Sequence, residues 1–352
     1  MSEVRVHRDV AVPMRDGTNL ATDVYIGPSG SNVRRPALVV RTPYDKTGAL
    51  GGDGAAKLAA LGYVVVVQDL RGRFASEGTF TLFENDPADG CDTIEWVAGQ
   101  PWCDGHVGMW GISYMGHATM AAAMVAPPHL EAAVSLQPAT DMFTEERLVD
   151  GVFLTMSGRW NEMAGLDVVD KLADPAARAA ALADLELLRA PEDPGYLTLP
   201  ITDVPYQRHL PGLWGDVLAH RDDPAFFTNT TTAETVRNIA IPMLHVGSWF
   251  DPFLRNTLRH HRLAVAGAAT DHARDAQRLI VGPWPHAGFA ADAFGALCFP
   301  DAPLSAEDLV GGWHDHWLRG AAEPSWFEHR VLVYVLGANR WRAAETWPPP
   351  EA

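Results

Sequence analysis

Cysteine is scarce in this 352-residue chain. It has three cysteines, Cys91, Cys103 and Cys298, and they are widely spaced. An odd, sparse set of this kind offers neither a disulfide framework nor the paired spacing of a zinc site. We therefore expect all three to serve as small buried side chains, and the sequence implies no metal and no organic cofactor.

Positive charge is also in short supply. Lysine and arginine number 27 against 44 aspartates and glutamates, which gives a formal net charge of −17. Nucleic acids and anionic membrane surfaces both require a basic face on their partner. The balance therefore argues against either partner, and the excess of acidic residues is typical of a well-solvated surface.

Long apolar runs are missing as well. The first residues lack the apolar segment of a signal peptide, and the apolar runs further on are shorter than a membrane span. We therefore expect a cytoplasmic protein. At 47% hydrophobic and 20% charged residues, the composition is that of an ordinary globular chain with a large core.

Short apolar segments recur along the chain and alternate with helical patterns. Residues 4–12 and 20–26, separated by a glycine turn, predict a β-hairpin. The following apolar segments are typical of strands in a doubly covered parallel sheet: 37–40, 63–67, 107–110, 132–134, 241–244, 279–281 and 331–336. Helical patterns occupy 54–61, 86–96, 114–124, 254–264 and 305–318. This alternation predicts an α/β fold, a mostly parallel sheet with helices on both faces.

The alternation breaks between about residues 139 and 238. This stretch is rich in helical patterns, most clearly at 175–188, and it carries many prolines. An insertion between two strands of the sheet is the simplest explanation. We therefore divide the chain into a core of 1–138 and 239–352 and a helical cap of 139–238.

A serine stands on a predicted strand-to-helix turn. The segment 107–110 runs into Gly111-Ile112-Ser113-Tyr114-Met115-Gly116, and a helical pattern follows. This arrangement is typical of a nucleophile elbow, in which small neighbours allow strained backbone angles and an exposed hydroxyl. On its own, the pattern equally fits a glycine-rich turn whose serine caps the helix.

Two later strand ends supply partners for this serine. Asp251 follows the strand that begins near Met243, and His286 follows the strand at Ile280. The carboxyl ends of parallel strands share one edge of a sheet, and the chain order Ser, Asp, His is that of the α/β-hydrolase fold. We therefore predict a triad in which Ser113 attacks, His286 is the general base and Asp251 orients the histidine. The other histidines are expected to be structural or solvated.

With these residues placed, the chain resembles the cocaine-esterase-like branch of the X-prolyl dipeptidyl-peptidase family, which includes α-amino-acid ester hydrolases. The resemblance extends over nearly the whole chain. The matching motifs are VPMRDG at 12–17, RTPYDK at 41–46, QDLRGR at 68–73, SEG at 76–78, WCDG at 102–105, GISYMG at 111–116, WFD at 249–251 and GPWPH at 282–286.

The resemblance implies roles for four further residues. The Tyr44 hydroxyl and the backbone N–H of Tyr114 would form the oxyanion hole, and Tyr44 lies in the loop from which this fold draws its second donor. The insertion would shape the acyl pocket, with Phe253 as an aromatic pocket residue and Trp160 as a candidate for the same space.

Family members usually continue into a C-terminal β-sandwich, whereas this sequence ends at Ala352. We therefore expect self-association, or a separate partner chain, to cover a face bordered by 331–336, Trp341 and Trp347.

These features together predict a serine hydrolase that cleaves an ester or amide of a small acyl substrate through an acyl-enzyme. Acyl transfer or lactone formation would use the same triad and stays open, because the acyl-enzyme is common to both reactions. An X-prolyl aminopeptidase would need an anchor for the substrate ammonium group that the sequence does not reveal. The third alternative is a non-catalytic binding protein on the same scaffold, and the intact set of Ser113, Asp251, His286 and Tyr44 argues against it.

Overall fold

One large mixed sheet organises the part of the chain that the structure describes. The computed structural model describes residues 4–28, 33–48, 52–139, 148–149, 152–153, 156–189, 198–200, 203, 219–220, 222–223 and 234–350. The strands within these residues are β1 (Arg5–Pro13), β2 (Asn19–Ile26), β3 (Arg35–Thr42), β4 (Val64–Asp69), β5 (Cys103–Ile112), β6 (Leu130–Leu136), β7 (Leu148–Val149), β8 (Val152–Phe153), β9 (Met243–Phe250), β10 (Gln277–Pro285), β11 (Ala293–Phe294), β12 (Leu297–Cys298), β13 (Val331–Val335) and β14 (Arg340–Ala344).

Ten of these described strands form the main sheet, in the order β1-β2-β4-β3-β5-β6-β9-β10-β13-β14. The strands from β4 to β13 in this order run parallel to one another. Antiparallel strands occupy both ends, because β1 and β2 form the predicted hairpin and β14 folds back on β13. The carboxyl ends of the parallel strands therefore meet at one edge.

Helices cover both faces of the sheet. Within the described residues they are α1 (Gly52–Ala60), α2 (Asp86–Ala98), α3 (Tyr114–Ala123), α4 (Met156–Asp170), α5 (Pro175–Arg189), α6 (Leu254–Gly267), α7 (Asp271–Asp275) and α8 (Ala306–Arg319). On one face, residues such as Val39 and Met109 pack beneath α2, α3 and α6. On the other face, their chain neighbours Leu38 and Trp110 pack beneath α1 and α8. Burial on both faces explains why the central strands are continuous apolar runs.

This architecture confirms the predicted fold class, while several strands differ from expectation. β9 and β10 extend to Phe250 and Pro285, beyond the ends of the predicted strand segments 241–244 and 279–281. β14 was not predicted at all. Its sequence, RWRAA, is polar and half-exposed, so it lacks the apolar signal of the inner strands.

The insertion begins and ends at two neighbouring strands. β6 pairs directly with β9, with Ala133 opposite Met243, although about a hundred residues separate them in the chain. The described residues of this stretch include the β7–β8 pair, α4, α5 and a short helical turn at 235–238. Residues 140–147 and most of 190–233 lie outside the described residues. The division into a core and a cap over 139–238 stays a prediction.

The prediction of three buried cysteines is wrong for Cys298. Cys103 is buried and Cys91 is partly buried, but Cys298 is exposed. It lies on β12, which forms a small hairpin with β11 outside the main sheet, where both residues of each strand face solvent. Among the described residues, no cluster of three or more histidine, cysteine or carboxylate side chains could hold a metal ion.

The face near the chain's last strands is partly covered by the chain itself. β14 lies outside β13, whose Val331 and Tyr334 are fully buried. The ring centres of Trp341 and Tyr334 are 5.3 Å apart, and those of Trp347 and Trp249 are 6.2 Å apart. Self-association through this face stays a prediction. No helix in the described part of the chain has both the length and the apolar character to cross a membrane.

Several histidines are buried in the interior. Burial lowers the pKa of His117 and His261 to about 3, and that of His245 and His314 to about 4. Neither ring nitrogen of His261 has a hydrogen-bond partner. These rings are therefore neutral in the folded protein at neutral pH, and protonating them costs folding free energy.

Two buried carboxyl groups have the opposite effect on how stability changes with pH. It raises the pKa of Asp69 and of Asp86 to about 6. The folded protein therefore binds these protons before the unfolded chain does, and this part of the stability grows as pH falls. The contribution of a single histidine to the pH dependence of stability is therefore measured by comparing a variant with the wild type, since both contain these carboxyl groups.

We predict that His261→Leu makes folding less sensitive to acid. The folded-state pKa of about 3 lies below the ordinary histidine value, so the unfolded chain binds this proton first as pH falls below about 6.5. As pH falls, the free energy of unfolding of the wild type should decrease through this group by up to about 1.4 kcal/mol per pH unit. The variant lacks the group and should not show this part of the decrease. Urea unfolding at pH 7, 6 and 5 measures the difference. His7→Leu, at an exposed position, is the control, and parallel pH dependences of His261→Leu and wild type would contradict the prediction.

Candidate active site

Ser113 lies between β5 and α3 in a strained conformation. Its φ and ψ angles are 59° and −125°, in a region that side chains larger than glycine rarely adopt. Its N–H donates to the Leu136 carbonyl at 2.9 Å, and its carbonyl accepts from the His117 N–H at 3.0 Å. Its side chain makes no helix-capping hydrogen bond, so the alternative of a simple capping serine does not describe this turn.

The turn requires glycine at positions 111 and 116, because neither position has room for a side chain. A Cβ atom at Gly111 would lie 2.3 Å from the backbone carbon of Met115, and one at Gly116 would lie 2.9 Å from the Leu136 carbonyl oxygen. The side chain of Met115, by contrast, is fully buried in the core beneath α1 and α8. The position two residues after the serine therefore accommodates an apolar side chain, and the glycine is needed one residue later.

The strand register brings Asp251 and His286 together. Phe250 and Pro285 are paired at the ends of β9 and β10, and each is followed directly by one of the two titratable residues. Neighbouring strands lie about 4.8 Å apart, which is within the reach of two facing side chains. Ser113 follows β5 at the same edge, with only β6 between β5 and β9.

A continuous hydrogen-bond chain joins the three side chains. The His286 Nε2 atom lies 2.9 Å from the Ser113 Oγ atom, and its Nδ1 atom lies 2.9 Å from the Asp251 Oδ1 atom. An ionised carboxylate can only accept, so Nδ1 carries the proton and Nε2 is left to accept from the serine hydroxyl. The histidine side chain is 29% exposed, whereas that of Asp251 is fully buried.

Asp251 is held by its own loop as well as by the histidine. Its Oδ1 atom also accepts from the Phe253 N–H at 3.2 Å, while Oδ2 is buried without a partner. Burial raises the pKa of Asp251, and the hydrogen bond to His286 opposes this shift. The carboxylate is therefore stabilised mainly by the histidine, as expected for a group that orients an imidazole.

Tyr44 lies in the turn after β3, beside the serine. Its N–H donates to Thr42 Oγ1 at 3.0 Å, which fixes the start of the turn. Its hydroxyl lies close enough to Ser113 and to the backbone N–H of Tyr114 for both to lower its pKa. Burial raises the pKa of Tyr44, so the phenol carries its proton. The two groups that the sequence proposed as oxyanion donors are therefore adjacent to each other and to Ser113.

The side chain of Tyr114 is part of the interior. Its hydroxyl accepts from the Phe83 N–H at 3.0 Å and lies near the Asp86 carboxyl group. Burial raises the pKa of Tyr114 well above its ordinary value and that of Asp86 to about 6, with Arg41 opposing the shift of the carboxyl group. The phenol ring thus anchors the first turn of α3, and only the backbone N–H faces the serine side.

The two predicted pocket aromatics belong to one cluster with Tyr44 and Tyr114. The Phe253 ring lies edge-on to His286, with 5.0 Å between the ring centres. The Trp160 indole, from α4 of the insertion, donates from Nε1 to the Tyr44 hydroxyl at 2.9 Å. The structure therefore brings all seven residues singled out in the sequence to one edge of the sheet.

Sequence reasoning missed Gln137, which follows β6. Its Nε2 atom donates to Ser248 Oγ at 2.6 Å and lies 3.4 Å from the Pro285 carbonyl, so it links the strands that carry the aspartate and the histidine. Like Ser113, it has a positive φ, here 43°. Its position as a polar residue at a strand end was a usable signal, but glutamine has no reactivity of its own to attract attention.

Two of the remaining histidines illustrate structural and solvated positions. The His117 ring is buried and stacks on Phe83 at 3.7 Å. His106 is exposed and pairs with Glu131 at 2.7 Å. Neither takes part in the hydrogen-bond chain to Ser113.

Comparison with known proteins agrees with this geometry. A cocaine esterase from Rhodococcus sp. (strain MB1 Bresler) is 32% identical over 359 residues, covering 98% of this chain and 61% of the relative. This chain thus spans about three fifths of the length of the curated relatives that it matches.

Among solved structures, an aminopeptidase from a marine sediment Thaumarchaeota archaeon superimposes with a TM-score of 0.71 at 21% identity, covering 99% of this chain and 60% of its own. An α-amino acid ester hydrolase superimposes with a TM-score of 0.69 at 20% identity, covering 99% and 59%. At these identities the two structures support the fold alone.

A family assignment follows from the sequence comparison. Residues 16–288 match the family described as X-Pro dipeptidyl-peptidase (S15 family). This match covers well over half of the chain and agrees with the resemblance drawn from the sequence motifs. The chain therefore belongs to the X-Pro dipeptidyl-peptidase family.

Proposed function

We propose that the protein is a serine hydrolase that cleaves an ester or amide bond of a small acyl substrate through an acyl-enzyme on Ser113. The observation that carries this proposal is the unbroken chain from Ser113 Oγ through His286 to the buried Asp251 carboxylate, with both contacts at 2.9 Å. Such a chain solves the main problem of a serine nucleophile, whose hydroxyl is too weakly acidic to attack unaided.

In the acylation step, the Ser113 oxygen forms a bond to the substrate carbonyl carbon while its proton passes to His286 Nε2. Asp251 offsets the positive charge of the resulting imidazolium. The imidazolium then gives this proton to the leaving group as its bond to the carbonyl carbon breaks. In the second half-reaction, water forms a bond to the acyl carbon while losing a proton to His286. The imidazolium then gives this proton to the Ser113 oxygen as the bond between that oxygen and the acyl carbon breaks, which releases the acid and restores the enzyme.

The negative charge that develops on the substrate oxygen needs donors in fixed positions. The Tyr44 hydroxyl and the Tyr114 N–H both lie near Ser113, so the oxygen of a carbonyl group whose carbon faces Oγ would lie near both donors. The N-terminus of α3 adds a favourable field at the same point.

The aromatic cluster supports a substrate with an apolar acyl group. Phe253 touches His286 and packs in the same cluster as Tyr44 and Trp160. The relative named cocaine esterase makes an ester the first substrate class to test. Acyl transfer would use the same catalytic groups and oxyanion donors. The two reactions are therefore distinguished by their products.

We predict that Ser113→Ala abolishes the hydrolysis of 4-nitrophenyl esters, and that a fluorophosphonate labels Ser113 of the wild type. Residual turnover is limited to what the oxyanion donors and substrate binding supply. Ser325→Ala, at an exposed position, is the matched control and should keep wild-type kcat. Wild-type activity in Ser113→Ala would remove the mechanism. Repeating the wild-type assay with added alcohols or amines shows whether acid or acyl-transfer product accumulates.

We predict that Tyr44→Phe lowers kcat by roughly 10²–10³-fold, or about 3–4 kcal/mol, with little change in KM. The variant loses one hydrogen-bond donor to the developing oxyanion and keeps the ring. Tyr63→Phe is the control. Tyr63 directly precedes β4, at the end of the strand away from the carboxyl edge, and its hydroxyl donates to Asp315 Oδ1 at 2.6 Å. A raised KM with unchanged kcat would assign Tyr44 to substrate binding instead.

A further inference from the structure

Trp160, on α4, contacts both residues that supply the proposed oxyanion hole. Its Nε1 atom donates to the Tyr44 hydroxyl at 2.9 Å. Its indole ring stacks on the Tyr114 ring, with 5.6 Å between centres and an angle of 7° between planes. One side chain of α4, in the insertion, therefore touches the side chains of both proposed donor residues.

The hydrogen bond from Trp160 has a direct effect on how Tyr44 can donate. A phenol oxygen has one proton to give and lone pairs to receive with. Since the indole N–H occupies a lone pair of the Tyr44 oxygen, the phenol proton points away from Trp160 and is free to donate on the side of Ser113. Accepting a hydrogen bond also makes the phenol a better donor, because linked hydrogen bonds polarise one another. In line with this, the bond from Trp160 lowers the pKa of Tyr44 and opposes the effect of burial.

A buried arginine fixes α4 against the loop that carries Tyr44. Arg73 is 1% exposed, and its Nη1 atom donates to the Ala164 carbonyl, four residues after Trp160, at 2.8 Å. Its Nε atom donates to the Pro43 carbonyl, directly before Tyr44, at 3.1 Å. One guanidinium thus holds the two elements in a fixed relation, and its planar shape makes this geometry specific.

Further contacts hold α4 along the loop around Arg73. Asp167 accepts from the Phe74 N–H at 2.9 Å and lies 3.6 Å from Arg73 Nε. Lys171 donates from Nζ to the Gly72 carbonyl at 2.8 Å. A buried arginine is costly unless it is paired and hydrogen-bonded, and this one has both kinds of partner. The placement of Trp160 is therefore fixed mainly by the buried Arg73, and Asp167 and the exposed Lys171 add contacts to the same loop.

We propose that Trp160 is a positioning residue of the oxyanion hole, through which α4 of the insertion aligns the Tyr44 hydroxyl for catalysis. This inference rests on the proposed function of Tyr44 and deepens it. It gives Trp160 a role beyond the lining of a substrate pocket, because its polar atom is directed at Tyr44 and its ring covers Tyr114.

A double-mutant cycle between Trp160 and Tyr44 tests the proposal. Trp160→Phe keeps an aromatic ring to stack on Tyr114 and removes only the N–H donor. With 4-nitrophenyl acetate, we expect kcat to fall roughly three- to tenfold with KM within about twofold, as for the loss of one neutral hydrogen bond. In the Tyr44→Phe background the same substitution should change kcat less than about twofold, because the oxygen that Trp160 positions is gone.

Trp102→Phe is the matched control. Trp102 directly precedes β5 and lies at the end of that strand opposite Ser113, where it packs against Trp96. This variant should keep wild-type kcat in both backgrounds. Stoichiometric labelling by a fluorophosphonate in each variant shows that the nucleophile and the fold are intact.

The outcomes separate the inference from the function on which it rests. Equal losses of kcat in both backgrounds, or an effect on KM alone, would overturn the positioning role and leave the triad and Tyr44 in place. An effect of Trp160→Phe that grows from acetyl to butyryl esters would likewise assign Trp160 to the acyl pocket. Unchanged kcat in Tyr44→Phe alone would remove the oxyanion role of Tyr44 and this inference with it, whereas loss of labelling at Ser113 in the wild type would contradict the proposed function itself.

Discussion

The register of neighbouring parallel strands is the constraint on which the rest of the site depends. Hydrogen bonds between β9 and β10 place Phe250 opposite Pro285, so that Asp251 and His286 leave the sheet side by side. A slip of one residue would turn alternate side chains to the opposite face of the sheet. The 2.9 Å contact between the histidine and the carboxylate is therefore set by the backbone pairing of two strands whose preceding residues are mostly buried.

A layer of buried polar groups converts this register into a fixed site. Gln137 ties Ser248 on β9 to the end of β10, and Arg73 ties the loop before Tyr44 to α4. At the start of the serine helix, Tyr114 is anchored by the hydrogen bond from the Phe83 N–H to its hydroxyl. Each of these groups would be unfavourable if it were buried without partners, so the network favours a single arrangement of the edge loops. Ser113 is held in its strained conformation by these surroundings.

The insertion contributes to the same edge in two different ways. Its helix α4 brings Trp160 into the aromatic cluster with Phe253, Tyr44 and Tyr114. It also supplies Asp167 and the Ala164 carbonyl to Arg73, which lies in the segment after β4. In the function proposed here, substrate choice and alignment of the oxyanion donors are therefore coupled through one helix. Changes in the insertion should then affect kcat as well as the acyl preference.

The sequence by itself determined the α/β class, the hairpin at the start and the chain order of serine, aspartate and histidine. It could do so because burial on both faces leaves continuous apolar runs, and because glycine marks the tight turn at Ser113. It could not give the lengths of β9 and β10, since Trp249 and the prolines near His286 obscure the strand pattern. The remaining contacts of the site join residues that are up to 148 positions apart in the chain. They are the hydrogen bonds of Gln137, those of Arg73 and the one from Trp160 to Tyr44. Only the tertiary structure decided these, because no local pattern of residues specifies which polar atoms meet across the carboxyl edge of a sheet.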